Sequence, residues 1–381
     1  MAAACLALAT GPALAADAKE MMLRVLGTDQ NVGPVLEESF RRAALDMTPA
    51  QRELALKCFK DSVCETGQGD LTVGLADGFG ENVWRQVAKM EFIAQALTYP
   101  NIKKIIYTSA RFDTPTAISD MRSMVAQDVD VIVTFPDAGP ALLPTIKEAT
   151  EQGILVVPHN GGYVGGEAGK DFLTVVAEDL CELGRQFVRR VEENATKDPM
   201  GIVELGGTPG NGLSAAWQKC SEEEIAKNPK LKLLGKADTN WTQEGSFQAF
   251  TGFLAQGASI DAVLFEYADG FRGGLRALEA ANKEPNLIAA LRTDEQGVFC
   301  DWEKLNDPDF KIFYASSQQY QTRIALTAAM MKLDGADVPP SVNVPFTMHS
   351  VVKGLCNLDL PEELPISALL DVDMLRAMYP K

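Results

Sequence analysis

Apolar runs and amphipathic stretches alternate along most of this chain at a regular spacing. Leu71 to Ala76 is a short apolar run, the length of a strand buried on both faces. The loop Asp77-Gly78-Phe79-Gly80-Glu81 follows, and Asn82 stands where a helix N-cap belongs. Val83, Val87, Met90, Ala94 and Leu97 then recur at steps of four and three, which puts them on one helical face. The cycle repeats. Ile105 to Thr108, Val129 to Phe135, Ile154 to Val157 and Phe172 to Ala177 predict further strands, and Thr114-Pro115 opens a helix with proline at its first position. A helix through Leu183, Phe187 and Val191 leads into a second series, with strands over 202–205, 231–234, 262–265, 287–291 and 312–315. A helix over 319–333 and a last strand over 342–348 complete it.

Strand–helix alternation at this spacing predicts parallel sheets with helices on both faces. Two such series predict an α/β fold of two doubly wound parallel-sheet lobes joined by hinge crossovers. Ligands of such sheets bind beyond the carboxyl ends of the strands, so the loops just after each strand are where chemistry is expected. Residues 17–70 read as short amphipathic helices ahead of the first strand.

Composition narrows the class. A chain of 381 residues with 46% hydrophobic and 23% charged positions suits a soluble protein of two medium domains. The formal charge of -17 disfavours nucleic acid and anionic membrane surfaces as partners. Residues 1–16, MAAACLALATGPALAA, are uncharged and end in the small-x-small pattern Ala13-Leu14-Ala15. They read as a secretory leader without its basic start, cleaved to leave a periplasmic protein, with a buried N-terminal helix as the alternative. No other stretch approaches the ~18 apolar residues of a membrane span. Removing Cys5 with the leader leaves six cysteines, an even count that suits disulfides in an exported chain. Cys58 and Cys64 are close enough to clip one local loop. Metal ligation is the alternative, but there is no C-x-x-C and the chain has two histidines.

Five segments, in order, resemble the type I periplasmic binding proteins, the ribose-binding group of ABC sugar transporters. They are the first strand with its Gly80-to-Arg85 turn, Val129 to Asp137, Leu205 to Gly210, Asp238 to Trp241, and Ala262 to Leu278. The resemblance spans about Leu71 to Met348. It implies lobe one over 71–177 plus 318–335, lobe two over 178–317 plus 336–355, a helical extension over 17–70 and a tail over 356–381. It also implies a hinged cleft that closes on one solute.

Candidate ligand contacts follow from the strand-end loops, because a sugar needs planar polar partners for its hydroxyls and rings for its C–H faces. Asn82 and Trp84 lie at the first loop, where Asn82 fits an N-cap equally and Trp84 fits core packing equally. Asp137 ends the third strand, as a ligand contact or another N-cap. His159 and Asn160 stand where ribose-type proteins carry an Asp-Arg pair, a departure that puts ribose itself in doubt; a lone histidine also fits a structural role. Trp217 and Lys219 fall where relatives place an arginine, a second departure. Trp241 matches a ring-stacking aromatic, Tyr267 replaces an amide with Asp269 nearby, Asp294 matches a carboxylate that accepts sugar hydroxyls, and Gln318 lies near a hinge-side glutamine.

The expectation is therefore a non-catalytic, monomeric solute receptor without cofactor or metal, taking a small neutral sugar or polyol to an ABC permease. A sensory role, presenting ligand to a chemotaxis or sensor-kinase ectodomain, and a non-sugar ligand are the alternatives. An enzyme is disfavoured because the Gly206-to-Gly212 loop lacks G-x-G-x-x-G and G-K-[ST], and Ser214 is not in a G-x-S-x-G elbow. A transcription regulator of the same core would need a basic headpiece, which 17–70 does not supply beyond Arg41-Arg42.

Overall fold

The computed structural model describes residues 12–380 apart from Glu81 and 161–163, with side chains from residue 17. Residues 1–11 of the expected leader lie outside the described residues.

Three helices come first: α1 (Pro12–Leu26), α2 (Pro34–Ala43) and α3 (Pro49–Lys60). The last starts sharply because Thr48 and Gln51 form a reciprocal capping box around Pro49. The chain then runs β1 (Val63–Glu65), β2 (Leu71–Asp77), α4 (Val83–Ala96), β3 (Ile102–Ser109), α5 (Thr114–Val125), β4 (Val131–Phe135), α6 (Leu143–Glu151), β5 (Leu155–Pro158) and β6 (Val175–Ala177). The second series is α7 (Leu180–Glu193), β7 (Met200–Gly206), α8 (Gly212–Ile225), β8 (Leu231–Asp238), α9 (Gln243–Ala255), β9 (Ala262–Phe265), α10 (Ala268–Ala280), β10 (Ile288–Leu291), α11 (Gln296–Leu305) and β11 (Lys311–Tyr314). It is followed by α12 (Gln321–Leu333), β12 (Ser341–Asn343), β13 (His349–Ser350) and α13 (Val372–Met378).

Two sheets carry the lobes, in strand orders β1-β3-β2-β4-β5 and β13-β11-β10-β9-β7-β8. Each is parallel except for its edge strand, β1 or β13, which pairs antiparallel. Central strands such as Val131–Phe135 are buried at every residue, as expected where helices cover both faces. Four apolar layers result, two for each sheet.

Three features depart from the sequence expectation. The run over 172–177 meets the β5 edge of the first sheet only through single bonds, Leu173 N to Val156 O (3.0 Å) and Asn160 N to Val176 O (2.9 Å), and its strand β6 pairs with β12 in a two-stranded parallel sheet. The single strand expected over 342–348 is divided, with β12 on that small sheet and β13 on the edge of lobe two. The segment after 355 is not a loose tail. Cys356 is bonded to Cys300 of α11, Ile366 N donates to Asp294 O (3.1 Å), and three residues later Leu369 N donates to Glu91 Oε1 of α4 (2.7 Å). Leu369, Leu370, Met374 and Leu375 then join the same apolar layer as α1, α2 and α4. The other disulfides are Cys58–Cys64 and Cys181–Cys220.

Candidate functional site

The two lobes bring the carboxyl ends of their strands face to face, and the loops there follow the same backbone route in each. After β3, Ala110 N donates to Asp77 O (2.9 Å) and Phe112 N to Gly78 O (2.8 Å). After β8, Thr239 N donates to Gly206 O (3.0 Å) and Asn240 N to Gly207 O (2.9 Å). Each loop then takes two successive left-handed residues, Arg111-Phe112 (φ 51 and 62°) and Asn240-Trp241 (φ 53 and 52°). Such a conformation costs roughly 1–2 kcal/mol per non-glycine residue, so surrounding contacts must hold it. In both loops the second residue is an aromatic. The Phe112 ring stacks on Phe79 (centroids 4.1 Å, 13°) and meets Trp241 of the other lobe (5.8 Å, 26°).

Behind these rings lies a cavity of ≈ 40 Å³, lined by Phe79, Trp84, Phe135, Trp241 and Tyr267 among apolar groups and by Asn82, Arg85, Asn160, Glu266 and Arg292 among polar ones. That volume holds a few waters at most. The lobes are closed on each other.

The wall from lobe one is built around Arg85, one turn into α4. Its Nη1 donates to Asp77 Oδ1 (2.9 Å) and its Nη2 to Asp137 Oδ1 (3.0 Å), and the guanidinium lies 3.3 Å from the Phe135 ring centroid. Burial pushes Asp137 up to about 6 although the Arg85 cation pulls it down. Burial likewise raises Asp77. At Arg85 burial works downward, but the two carboxylates outweigh it and raise the guanidinium's pKa.

The wall from lobe two is built around Glu266, the residue after β9. Its Oε1 accepts from Ser214 Oγ (2.5 Å) and Trp241 Nε1 (2.6 Å), and its Oε2 accepts from Trp217 Nε1. Burial raises the carboxyl pKa while the three donors lower it, and the net shift is upward. The Trp241 indole lies against Gly207, where an added Cβ would stand 2.1 Å from the ring. Only glycine fits beneath it.

The hinge side is polar. Arg292, after β10, donates to Glu178 and to Asn160 Oδ1, while Gln321 Nε2 donates to Glu178 Oε2 (2.7 Å). Asn160 Nδ2 is buried without a partner, so its two N–H donors remain for a ligand or water.

Of the residues expected from the sequence, Asn82, Trp84, Asn160, Trp241 and Tyr267 line the cavity. Asn82 also caps α4, accepting from Arg85 N (2.9 Å), and Trp84 Nε1 donates to Ser317 O (3.0 Å). Burial raises Tyr267 well above the ordinary phenol value, so it stays neutral. Four others lie one layer behind the cavity wall. Asp137 is the Arg85 partner described above. His159 is buried edge-on to Phe135 (5.4 Å), and burial, with Arg85 nearby, lowers it to about 3, so its ring is neutral. Asp294 accepts from Ser317 Oγ and from Ser367 Oγ (3.0 Å), so the chain's own hydroxyls occupy Oδ1. Gln318 accepts from Gln321 Nε2 (2.5 Å).

Trp217 also stands behind the wall, as a donor to Glu266, while Lys219 is placed elsewhere, for a geometric reason. Two residues apart on α8 they point to different faces. Trp217 is fully buried against Phe187 (5.3 Å), and Lys219 is exposed on the outer side. Sequence reasoning did not single out Phe79, Arg85, Phe112, Glu266 or Arg292 as contacts. A signal did exist for Glu266, an acid directly after a fully apolar strand, at the end where ligands gather.

Residues 75–337 match the sequence pattern of the periplasmic binding protein domain family. A xylitol-binding protein of Mycolicibacterium smegmatis is 26% identical over 200 residues, 51% of this chain and 55% of that protein. A galactofuranose-binding protein of Escherichia coli is 25% identical over 225 residues, 56% of this chain and 68% of the other. Among solved structures, a Mycobacterium smegmatis protein in complex with β-D-fucofuranose superposes with a TM-score of 0.63 at 26% identity, covering 74% of this chain and 91% of the other.

Proposed function

This chain belongs to the periplasmic binding protein family, a group of non-catalytic binding proteins, and on that premise we propose that it captures a small neutral sugar or polyol between its lobes. The observation that carries the reading is that each cleft wall holds its central charged group with partners from its own lobe. Arg85 is held by Asp77 and Asp137, and Glu266 has every hydrogen bond supplied by its own lobe. Neither central group, the Arg85 guanidinium nor the Glu266 carboxyl, is left free to pair with a charged solute. What remains for a ligand is ring surface from Trp84, Trp241 and Phe79 and single polar groups such as Asn160 Nδ2. Flat C–H faces and hydroxyls are the chemistry such a cleft accepts.

The names of the relatives, binders of xylitol and galactofuranose and a protein held with fucofuranose, support polyols and five-membered sugar rings as the first ligands to try. In this reading the open cleft admits the solute, closure removes it from water, and the closed form docks on an ABC permease. Export through the leader at 1–16 and release into the periplasm complete the proposal. A micromolar ligand requires about -8 kcal/mol, within reach of two ring faces and a few satisfied hydrogen bonds in a dry cleft.

The test is a thermal-shift screen with xylitol, D-xylose, L-arabinose, D-galactose, mannitol, a nucleoside and an amino acid. A ligand of the folded state at 100 times its Kd adds about 2.7 kcal/mol of stability. A concentration-dependent shift with a sugar or polyol supports the reading. A shift confined to the nucleoside or amino acid overturns it.

A further inference from the structure

We propose that Glu266 is the positioning residue of the cleft, holding the Trp241 ring in the plane from which it meets both the ligand and Phe112 of the opposite lobe. The proposal rests on the cleft being the ligand site, but its core concerns a ring and the acid that holds it.

Trp241 sits in a loop that does not hold it well by backbone alone. It is the second of two left-handed non-glycine residues, and its ring is half-buried rather than packed in a core. Three contacts fix it: Gly207 below one face, Phe112 beyond, and the Glu266 carboxyl at its Nε1 (2.6 Å). Phe112 belongs to the other lobe and leaves when the cleft opens. Glu266 and Gly207 are then the contacts that keep the ring's orientation in the open state.

The same carboxyl is itself fixed. Trp217, fully buried, donates its Nε1 to Oε2, while Ser214 Oγ donates to Oε1 (2.5 Å) and accepts from Gly207 N (3.0 Å). Gly207, the floor of the ring, and Glu266, its edge partner, are thus joined through one serine. All three groups bonded to the carboxyl present hydrogens to it, so an ionised carboxylate satisfies them together and a neutral amide does not. Trp217 sets the acid, the acid sets Trp241, and Trp241 presents a face to the cleft. A ring held this way loses no rotamer freedom when ligand arrives.

The experiment is a double-mutant cycle of Glu266→Gln and Trp241→Phe, with Ser214→Ala as a milder third variant. Two readouts are used. The first needs no ligand: the emission of Trp241, taken as the difference between each protein and its Trp241→Phe counterpart, and its quenching by acrylamide. The second is affinity by calorimetry for xylitol, D-xylose and D-galactose. Glu266→Gln is expected to make Trp241 more accessible to acrylamide and to weaken binding by about tenfold, the value of one hydrogen bond to a charged group. In the Trp241→Phe background the same change is expected to cost almost nothing in affinity, because the group it positions is gone. Ser214→Ala should shift both readouts in the same direction by less. Unaltered Trp241 emission and quenching in Glu266→Gln, or affinity losses that simply add in the double variant, would overturn the proposal. Binding of none of the three probes by the wild-type protein counts against the sugar reading alone, and the fluorescence arm still decides the role of Glu266.

Discussion

The two walls of the cleft solve one problem with opposite charges. Lobe one buries a cation and surrounds it with two carboxylates and a ring, Arg85 with Asp77, Asp137 and Phe135. Lobe two buries an anion and surrounds it with neutral donors, Glu266 with Ser214, Trp217 and Trp241. A buried ion pair is strong only while all its members are present, since removing one leaves an uncompensated charge. An acid satisfied by neutral donors loses its bonds one at a time. The first arrangement therefore suits a rigid wall, and the second suits a wall whose exposed ring must be aimed.

Breaking lobe one's wall should produce the largest effect. Arg85→Met leaves Asp77 and Asp137 buried without their cation and is expected to cost about 3–5 kcal/mol by denaturant unfolding. Combining it with Asp77→Asn and Asp137→Asn should return most of that loss. If the single variant is as stable as wild type, the ion pair is not what holds this wall.

Proton linkage is a gentler effect. Burial raises Glu295 to about 8 and Glu204 to about 7, both in lobe two. A raised acid binds more protons folded than unfolded, so its contribution falls as pH rises through the folded value. Lowering the pH from 8 to 6.5 should add about 1–3 kcal/mol of stability. Below 6.5 the buried His159 of lobe one, lowered to about 3 by burial, works the other way, because only the unfolded chain takes up its proton. Melting curves across this range, repeated with Glu204→Gln, should show a smaller rise in the variant.

The contact between the walls is weaker again. Phe112→Leu removes the ring from the Phe79 and Trp241 stacks and should weaken closure, and with it ligand affinity, by about 0.5–1.5 kcal/mol. Lys219→Ala, on the outer face of α8, should change affinity and stability by less than about 0.5 kcal/mol. A tenfold loss of binding in that variant would mean that the cleft extends further than its lining residues indicate.

Part of the cleft was legible from strand ends and from the family resemblance. Asn82 and Tyr267 stand in loops that follow apolar runs, and the fold puts such positions at one edge of the sheet, whereas Trp241 was found from its match to a ring-stacking position of the resembled family. Asp294 follows an apolar run as well, yet Ser317 and Ser367 consume its oxygen, and nothing local to Asp294 announces a serine 73 residues away. Arg85 and Glu266 were missed for a similar reason. Each is an isolated charge in no motif, and its importance comes from partners contributed by other loops.

The order of strands and helices, the two-lobed plan and the short Cys58–Cys64 clip were contained in the chain's local pattern, because period and spacing report on neighbours a few residues away. Tertiary structure alone decided which charges cancel and which rings meet. Arg292 finds Asn160 across 132 positions, Trp84 finds Ser317 across 233, and Phe112 reaches Trp241 only because the two lobes face each other. Such pairings depend on how whole layers pack, and no periodicity within a single segment encodes that.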